Sequence, residues 1–251
     1  MRFAHVINPV SVDKNNSSYL YYTQPITFES MYQSKMLIEN KNKNVYVDLY
    51  TINYEEDDEI IPDYFIKLPY LNKSTKTEYP KFSKKKLPFI QDIFDSINKY
   101  VNADYIIFTN SDIIVHNNFY QFIYKQIIKH NFDSMIINRR DNIPKFINNI
   151  QLNKEHLNLI FELSGEKHIG RDCFIIENSI LKKINMKNMF IAHPPWGLIL
   201  MKYLSKLGNN FKMLRSEFLT FHLGNDNNHQ SSNKLDELTK INIINSKLIN
   251  I

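Results

Sequence analysis

The chain of 251 residues has little cysteine and little glycine, with one Cys and five Gly. A single thiol, Cys173, allows neither an internal disulfide nor a zinc site built on cysteines, which fits a reducing compartment. Its apolar neighbours Phe174–Ile176 predict a buried strand position rather than a nucleophile. The sequence contains no GxGxxG, Walker or GxSxG pattern. Ordinary dinucleotide-binding, P-loop and α/β-hydrolase functions are therefore disfavoured.

Long hydrophobic runs are also missing. No stretch approaches the roughly 20 apolar residues of a membrane span, and Met1–Val6 lacks the apolar core of a signal peptide. We therefore expect a cytoplasmic protein, with peripheral membrane association left open. The net charge is +5, from 31 basic and 26 acidic residues. This mild excess suits anionic ligands or a membrane surface but is not the concentrated basic footprint of a nucleic-acid binder, so we expect no nucleic-acid partner.

The densest basic run, Lys81–Lys86, lies between Pro80 and Pro88. It belongs to a polar stretch, residues 72–87, that we predict to be a long loop and a candidate flap. A solvated loop explains the charges, and a phosphate or lipid contact is the alternative.

Apolar periodicity predicts the fold class. Arg2–Val10 and Val45–Ile52 are predicted strands on either side of a helix over residues 27–40, which is the start of a βαβ unit. Helices are also predicted over 88–100, to about 130 after Asn118, and over 235–251, where Leu238, Ile241, Ile244 and Leu248 recur at helical spacing. We expect one α/β domain with a mixed, mostly parallel sheet flanked by helices.

The stretch Asp104–Val115 has the most informative pattern. A buried strand, Tyr105–Phe108, changes abruptly into the polar residues Thr109–Asp112 and is followed by a second apolar run. A carboxylate at the carboxyl end of such a strand stands where open α/β sheets bind ligands, and it could hold a divalent cation and through it a phosphate. Asn, Ser and Asp are also ordinary turn formers, so a turn remains the alternative.

Other polar residues follow or precede apolar elements. Arg139 and Arg140 end a predicted strand, where they could clamp a diphosphate or form a surface pair with Asp141. Asp172, after a turn predicted at Gly170, is a candidate base or turn cap. The turn His193–Gly197 is another candidate, in which Trp196 is a sugar-stacking wall or a core residue. His222 makes with Asp112 an oxygen–nitrogen pair suited to Mn²⁺ or Mg²⁺.

Taken together, these residues resemble a GT-A-type nucleotide-sugar glycosyltransferase. The Asn110-Ser111-Asp112 tripeptide after strand Tyr105–Thr109 resembles the Asp-any-Asp motif of that family, and His222 stands where many members have a late metal-binding histidine. The resemblance implies a nucleotide-sugar half over about residues 1–140, an acceptor half over about 141–226, and a tail and helix over 227–251. It also implies a nucleoside diphosphate sugar as donor, a glycan or lipid-linked acceptor, and assistance by Mn²⁺ or Mg²⁺.

The sequence departs from the family pattern at two places. The first motif position is Asn110, which adds no negative charge, and the Pro194–Gly197 turn lacks the acidic base of many inverting members. Asp172 is our substitute base, followed by Glu162 or Glu166; a retaining mechanism is the alternative. The resemblance implies donor-binding roles for Asn8, Pro9, Asn110, Ser111, Asp112, Arg139 and Arg140, and acceptor-binding roles for His193, Trp196 and Gly197. A non-catalytic sugar-nucleotide-binding relative and a sugar-phosphate nucleotidyltransferase are rival functions, although the latter usually begins with a Gly-rich loop that is absent here.

Overall fold

Strands and helices alternate through the first half of the protein in a computed structural model that describes residues 1–14, 19–141, 157–162, 165–223, 236–249 and 251. The strands are β1 Arg2–Ile7, β2 Tyr46–Thr51, β3 Ile66–Lys67, β4 Tyr105–Thr109, β5 Ile113–Val115, β6 Ser134–Asp141, β7 Glu166–Glu177, β8 Phe211–Leu214 and β9 Thr220–His222. The helices are α1 Leu20–Lys41, α2 Thr75–Glu78, α3 Ile90–Tyr100, α4 Phe119–His130, α5 Leu157–Glu162, α6 Asn178–Leu181, α7 Trp196–Leu207 and α8 Glu237–Lys247, with a 3-10 helix at Glu55–Ile60.

The strands form one sheet in the order β3-β2-β1-β4-β7-β6-β9-β5, and β8 also pairs with β6. β1, β2, β3 and β4 are mutually parallel, whereas β7 runs antiparallel to both of its neighbours. β8 and β9 run parallel to β6, and β5 runs antiparallel to β9. The predicted fold class, a mixed and mostly parallel sheet in one α/β domain, is confirmed.

Apolar side chains cover both faces of the sheet. In β4, Ile106 and Phe108 belong to the layer packed beneath α3 and α7, whereas Ile107 belongs to the layer beneath α1 and α4. All five residues of β4 are buried, as expected for a strand enclosed on both faces. This burial explains why the strand reads as a continuous apolar run.

Several predicted boundaries are wrong. Helix α1 begins at Leu20, well before residue 27, and includes Pro25. The predicted loop over residues 72–87 contains α2, and Gly170 lies inside the long strand β7 rather than in a turn that precedes it. Residues 142–156, which fall within the predicted acceptor half, lie outside the described part.

The topology directs several strand ends to one edge of the sheet. β1, β2 and β4 end there, and β6 and β9 run in the same direction as β4. The antiparallel strand β7 begins at the same edge. Polar residues from distant parts of the chain therefore meet beyond the carboxyl end of β4, where ligands bind in α/β sheets. Within the described residues, no helix has both the length and the hydropathy to cross a membrane.

Candidate active site

Asp112 lies in a tight turn between β4 and β5. The Ile113 amide donates to the Asn110 carbonyl across this turn, at 3.3 Å. β5 then pairs with β9 so that Ile113 stands opposite His222. This register brings Nε2 of His222 to 3.1 Å from Oδ2 of Asp112. Residues 110–113 therefore form a turn, as the alternative prediction held, and this same turn positions the Asp112 carboxylate beside His222.

His222 lies between two carboxylates. Its Nδ1 is 3.6 Å from Oδ1 of Asp141, at the end of β6. Asp141 is in turn held by Arg139, whose Nε lies 2.8 Å from Oδ1 and whose second guanidinium nitrogen donates to Oδ2 at 3.2 Å. The His168 ring also approaches Asp141, at 3.4 Å. The sequence did not single out Asp141 or His168 as site residues.

Asp172 is the second carboxylate that Arg139 binds. Register pairs Thr109 with Cys173, so that Asn110 and Asp172 come together at the end of this pairing. The Asn110 amide donates to Oδ1 of Asp172 at 3.0 Å, and Arg139 donates to Oδ2 at 2.8 Å. Burial raises the pKa of Asp172; the Arg139 charge opposes this rise, and the negative charge of Asp112 adds to it. Asn110 is therefore engaged in orienting Asp172.

Asp112 has a different electrostatic environment. Burial has the largest influence on its pKa and would raise it, but the hydrogen bond with His222 and the positive charges of His222 and Arg139 outweigh burial and lower the pKa. Asp112 is therefore an anion at neutral pH. In the part of the chain that the structure describes, its Oδ1 is buried and has no hydrogen-bond partner. An anionic oxygen without a donor is suited to bind a cation.

The protein ligands for such a cation are few. Among the described residues, no three His, Cys, Asp or Glu side chains are arranged as a metal site. Asp112 and His222 together offer one carboxylate oxygen and one imidazole nitrogen, a donor set compatible with Mn²⁺ or Mg²⁺ when water and phosphate oxygens complete the coordination. The residues present therefore fit a cation that is bound together with a diphosphate.

Gly170 leaves the room that this cluster occupies. A Cβ atom added at Gly170 would lie 2.8 Å from Oδ2 of Asp172, 2.8 Å from Nδ1 of His168 and 2.9 Å from Nε of Arg139. Any side chain at this position would displace the Arg139–Asp172 ion pair. Close packing, rather than an unusual backbone angle, explains the glycine.

The other predicted donor residues have separate surroundings. The Asn8 amide donates to the Ile52 carbonyl at 2.6 Å, and Pro9 is buried beside it. Ser111 is buried within the turn. Arg140 donates to the carbonyls of Gly165 and Ser216 and lies over the Phe218 ring, so it has different partners from those given above for Arg139. Roles for these residues in donor binding remain predictions.

The candidate acceptor residues lie at the start of α7. Trp196 is buried, with ring centroids 6.2 Å from Phe108 and 5.4 Å from Phe174. The His193 ring lies 3.1 Å from the Thr239 hydroxyl, which ties this segment to α8. Gly197 makes ordinary contacts, because an added Cβ would lie 3.4 Å from the Arg171 carbonyl. The structure thus gives Trp196 a core-packing role, and contact of these residues with an acceptor remains a prediction.

The two further candidate bases are exposed. Glu162 ends α5, and Glu166 begins β7 opposite Asp141. A role as base for either residue remains a prediction.

Similarity to known proteins comes from structure rather than sequence. No protein-family model matches the chain, and no curated protein matches it significantly. Staphylococcus aureus TarS 1–349 in complex with UDP-GlcNAc superposes with a TM-score of 0.55 at 12% identity, covering 98% of this chain and 66% of that chain. A second TarS 1–349 structure has a TM-score of 0.53 at 10% identity, with 88% and 60% covered. The chain has the GT-A fold.

A second group of solved structures supports the same fold. Mycobacterium tuberculosis glucosyl-3-phosphoglycerate synthase in complex with Mn²⁺, UDP-glucose and phosphoglyceric acid has a TM-score of 0.50 at 11% identity, with 97% of this chain and 78% of that chain covered. Its complex with phosphoglyceric acid alone has a TM-score of 0.51 at 12% identity. This chain thus covers a larger share of the length of the synthase than of TarS 1–349. At such identities the likeness concerns the fold.

Proposed function

We propose that this protein is a glycosyltransferase that moves a sugar from a nucleoside diphosphate sugar to a hydroxyl of a glycan or lipid-linked acceptor. The observation that carries the proposal is the Asp112–His222 pair, which lies at the carboxyl edge of a GT-A sheet and includes a carboxylate oxygen without a donor. Similar structures contain UDP-GlcNAc in one case and Mn²⁺ with UDP-glucose in another, which supports this class of donor.

In the proposed reaction, the acceptor oxygen bonds to the anomeric carbon of the donor, the bond from that carbon to the diphosphate breaks, and the proton of the hydroxyl passes to one of the candidate carboxylate bases. Asp112 and His222 would hold Mn²⁺ or Mg²⁺, which would offset the negative charge on the departing diphosphate. Arg139, with a fixed positive charge 2.8 Å from Asp172, would add to the positive potential of the site.

Asp172 is the proposed contact for the acceptor hydroxyl. Both of its oxygens accept hydrogen bonds in the structure, from Asn110 and Arg139. We therefore assign it the role of holding and orienting the hydroxyl, with proton removal as its second possible role. Glu162 and Glu166 remain the other candidate bases, and the stereochemical outcome depends on which group faces the donor carbon.

The proposal is tested with Asp112→Ala. Loss of about 3 kcal/mol of charge stabilisation would reduce donor hydrolysis or transfer roughly 100-fold, and it would remove any effect of Mn²⁺ on donor affinity. Calorimetry with a panel of nucleotide sugars, with and without Mn²⁺, measures the affinity, and release of nucleoside diphosphate measures turnover. Asp63→Ala, at an exposed position, is the matched control for removal of one acidic side chain.

Two outcomes contradict parts of the proposal. Full activity in Asp112→Ala with an unchanged circular dichroism spectrum rules out the metal-binding role. Tight donor binding by the wild type without hydrolysis or transfer to any acceptor supports the rival function, a non-catalytic sugar-nucleotide-binding relative. This rival is tested because Asn110 is hydrogen-bonded to Asp172 and provides no carboxylate for a cation.

A further inference from the structure

The excess of basic over acidic residues is concentrated in one short part of the chain, residues 72–88, which we call the basic segment. It contains six of the 31 basic residues and one of the 26 acidic residues, which leaves 25 of each sign elsewhere. The segment therefore accounts for the whole net charge of +5. An excess charge confined to one segment can attract an anionic partner to that part of the surface.

The basic segment has a defined structure. Ser74 caps α2 in a reciprocal arrangement with Thr77. The Thr75 hydroxyl lies 2.9 Å from the Ser83 hydroxyl and donates to the Lys85 carbonyl at 3.0 Å. Thr75 and Leu87 are also joined through the backbone, at 2.9 Å. These buried hydroxyl groups hold the lysines around them in a fixed arrangement, without any ligand.

The outer side of the basic segment combines charge with an exposed aromatic ring. Lys81, Lys84 and Lys85 are exposed, and Phe82 between them is 53% exposed. By contrast, Lys86 is bound to Glu56 and lies 5.1 Å from the centre of the Tyr54 ring, so it anchors the segment. Lysines around an exposed aromatic side chain are typical of surfaces that bind at the interface of an anionic membrane, where the ring enters the headgroup region.

The basic segment is also attached to two other parts of the chain, one after β2 and one before α7. The Tyr54 hydroxyl, just beyond β2, donates to the Lys73 carbonyl at 2.9 Å. At the other end, the Ile191 amide donates to the Pro88 carbonyl at 3.2 Å, immediately before the segment with the predicted acceptor residues. A surface that docks through the basic segment would therefore lie close to the predicted acceptor residues that follow Ile191.

We propose that the basic segment docks the protein on anionic lipid headgroups, with Lys81, Lys84 and Lys85 contacting the charged surface and Phe82 entering the interface. The exposed ring favours a lipid surface over a soluble polyanion, because a polyanion needs only the charges. This docking is independent of sugar transfer and can be measured without any donor or acceptor.

Co-sedimentation with phospholipid vesicles tests the proposal. The wild-type protein is expected to bind vesicles of phosphatidylcholine with 30% phosphatidylglycerol, to bind pure phosphatidylcholine weakly, and to lose binding as salt is raised. Replacing Lys81, Lys84 and Lys85 by Gln should weaken binding about 100-fold, since each lysine near the surface contributes about a fivefold factor. Phe82→Ser should weaken it roughly 5-fold.

The matched control replaces Lys41, Lys125 and Lys129 by Gln. These exposed lysines lie on α1 and α4, and the control has the same change in net charge. It should retain wild-type binding, and circular dichroism should show all variants folded. The proposal is overturned if wild-type binding does not depend on anionic lipid, or if the control loses as much binding as the variant. It is also overturned if inorganic polyphosphate competes fully while Phe82→Ser binds vesicles like the wild type, which would identify a soluble polyanion as the ligand.

Discussion

Two polar clusters begin at the end of β4, and they differ in almost every physical respect. The first joins His5 to Tyr120 at 2.7 Å and to Thr109 at 2.9 Å, so both ring nitrogens have partners inside the apolar layer. Burial lowers the pKa of His5 to about 3. The second cluster contains Asp112, His222, Asp141, Arg139 and Asp172, which carry opposite charges at the sheet edge.

The comparison shows that a strongly shifted pKa is a poor marker of function when burial is its sole cause. His5 has a strongly shifted pKa, yet both of its ring nitrogens have partners and no solvent reaches it. Asp112 is a better candidate, because charged partners lower its pKa and one of its oxygens has no donor among the described residues. An incomplete set of partners distinguishes a binding site from a structural network.

The largest expected effect on stability comes from removing the charge that holds the second cluster together. Arg139→Met leaves Asp141 and Asp172 buried without their cation, and we expect it to lower the free energy of unfolding by about 3–5 kcal/mol. Urea denaturation at pH 7 measures the change. A loss below about 1 kcal/mol would show that water, rather than Arg139, compensates the two carboxylates.

The acid dependence of stability tests the first cluster. The folded pKa of His5, about 3, lies below its ordinary value of 6.5, so the unfolded chain binds the proton first. The contribution of His5 to the free energy of unfolding is at its maximum above pH 6.5. It falls by up to about 1.4 kcal/mol per pH unit as the pH drops toward 3. Between pH 6.5 and 5 the loss is about 2 kcal/mol, measured as the difference in urea denaturation between the wild type and His5→Gln. Parallel pH profiles for the two proteins would contradict this assignment.

The smallest expected effect is that of Tyr120→Phe. It removes the partner of Nδ1 of His5 without creating a large cavity, and we expect a loss of about 1 kcal/mol in the free energy of unfolding. Because this cluster lies within the core, donor hydrolysis should stay within twofold of the wild type. A marked fall in hydrolysis with unchanged stability would mean that the two clusters are coupled through β4.

The sequence was sufficient to predict the elements with a regular apolar pattern. Strand β4 and helices α3 and α4 were predicted almost to the residue, because their buried faces have clear periodicity. The pairing of Asp112 with His222 was predicted from their donor atoms and supported by the family resemblance, and the structure brings the two side chains together. It does not test whether they bind a metal.

Other parts of the site depend on contacts between distant strands. Asp141 belongs to the cluster because β6 continues through Arg139 and Arg140, with irregular register against β7. Sequence reasoning placed Arg139 and Arg140 at the end of this strand and considered Asp141 only as a surface partner of the arginines. His168 was missed because β7 begins before Gly170, which resembled a turn residue. Neither the register nor the length of β7 leaves a local signal.

Helix α8 shows a different limit of prediction. The predicted apolar stripe includes Ile244 and Leu248, and these two side chains are 59% and 60% exposed. Asn242 and Asn245 are buried instead and donate to backbone carbonyls of residues 188, 190 and 193. Asparagine is so abundant in this sequence that individual residues carried little weight, although two of them anchor the helix.

This polar attachment of α8 has a thermodynamic consequence. The fully buried residues within the helix are Thr239, Asn242 and Asn245, whereas the apolar residues Ile241 and Ile243 are half-buried. Both the denaturant m-value and the heat-capacity change of a local opening scale with the surface that is exposed, and polar surface contributes negatively to the latter. Because no apolar side chain within α8 is fully buried, opening of α8 should depend less on denaturant and temperature than unfolding of the sheet does. Native-state hydrogen exchange, which detects local opening directly, would record it as a unit separate from the sheet.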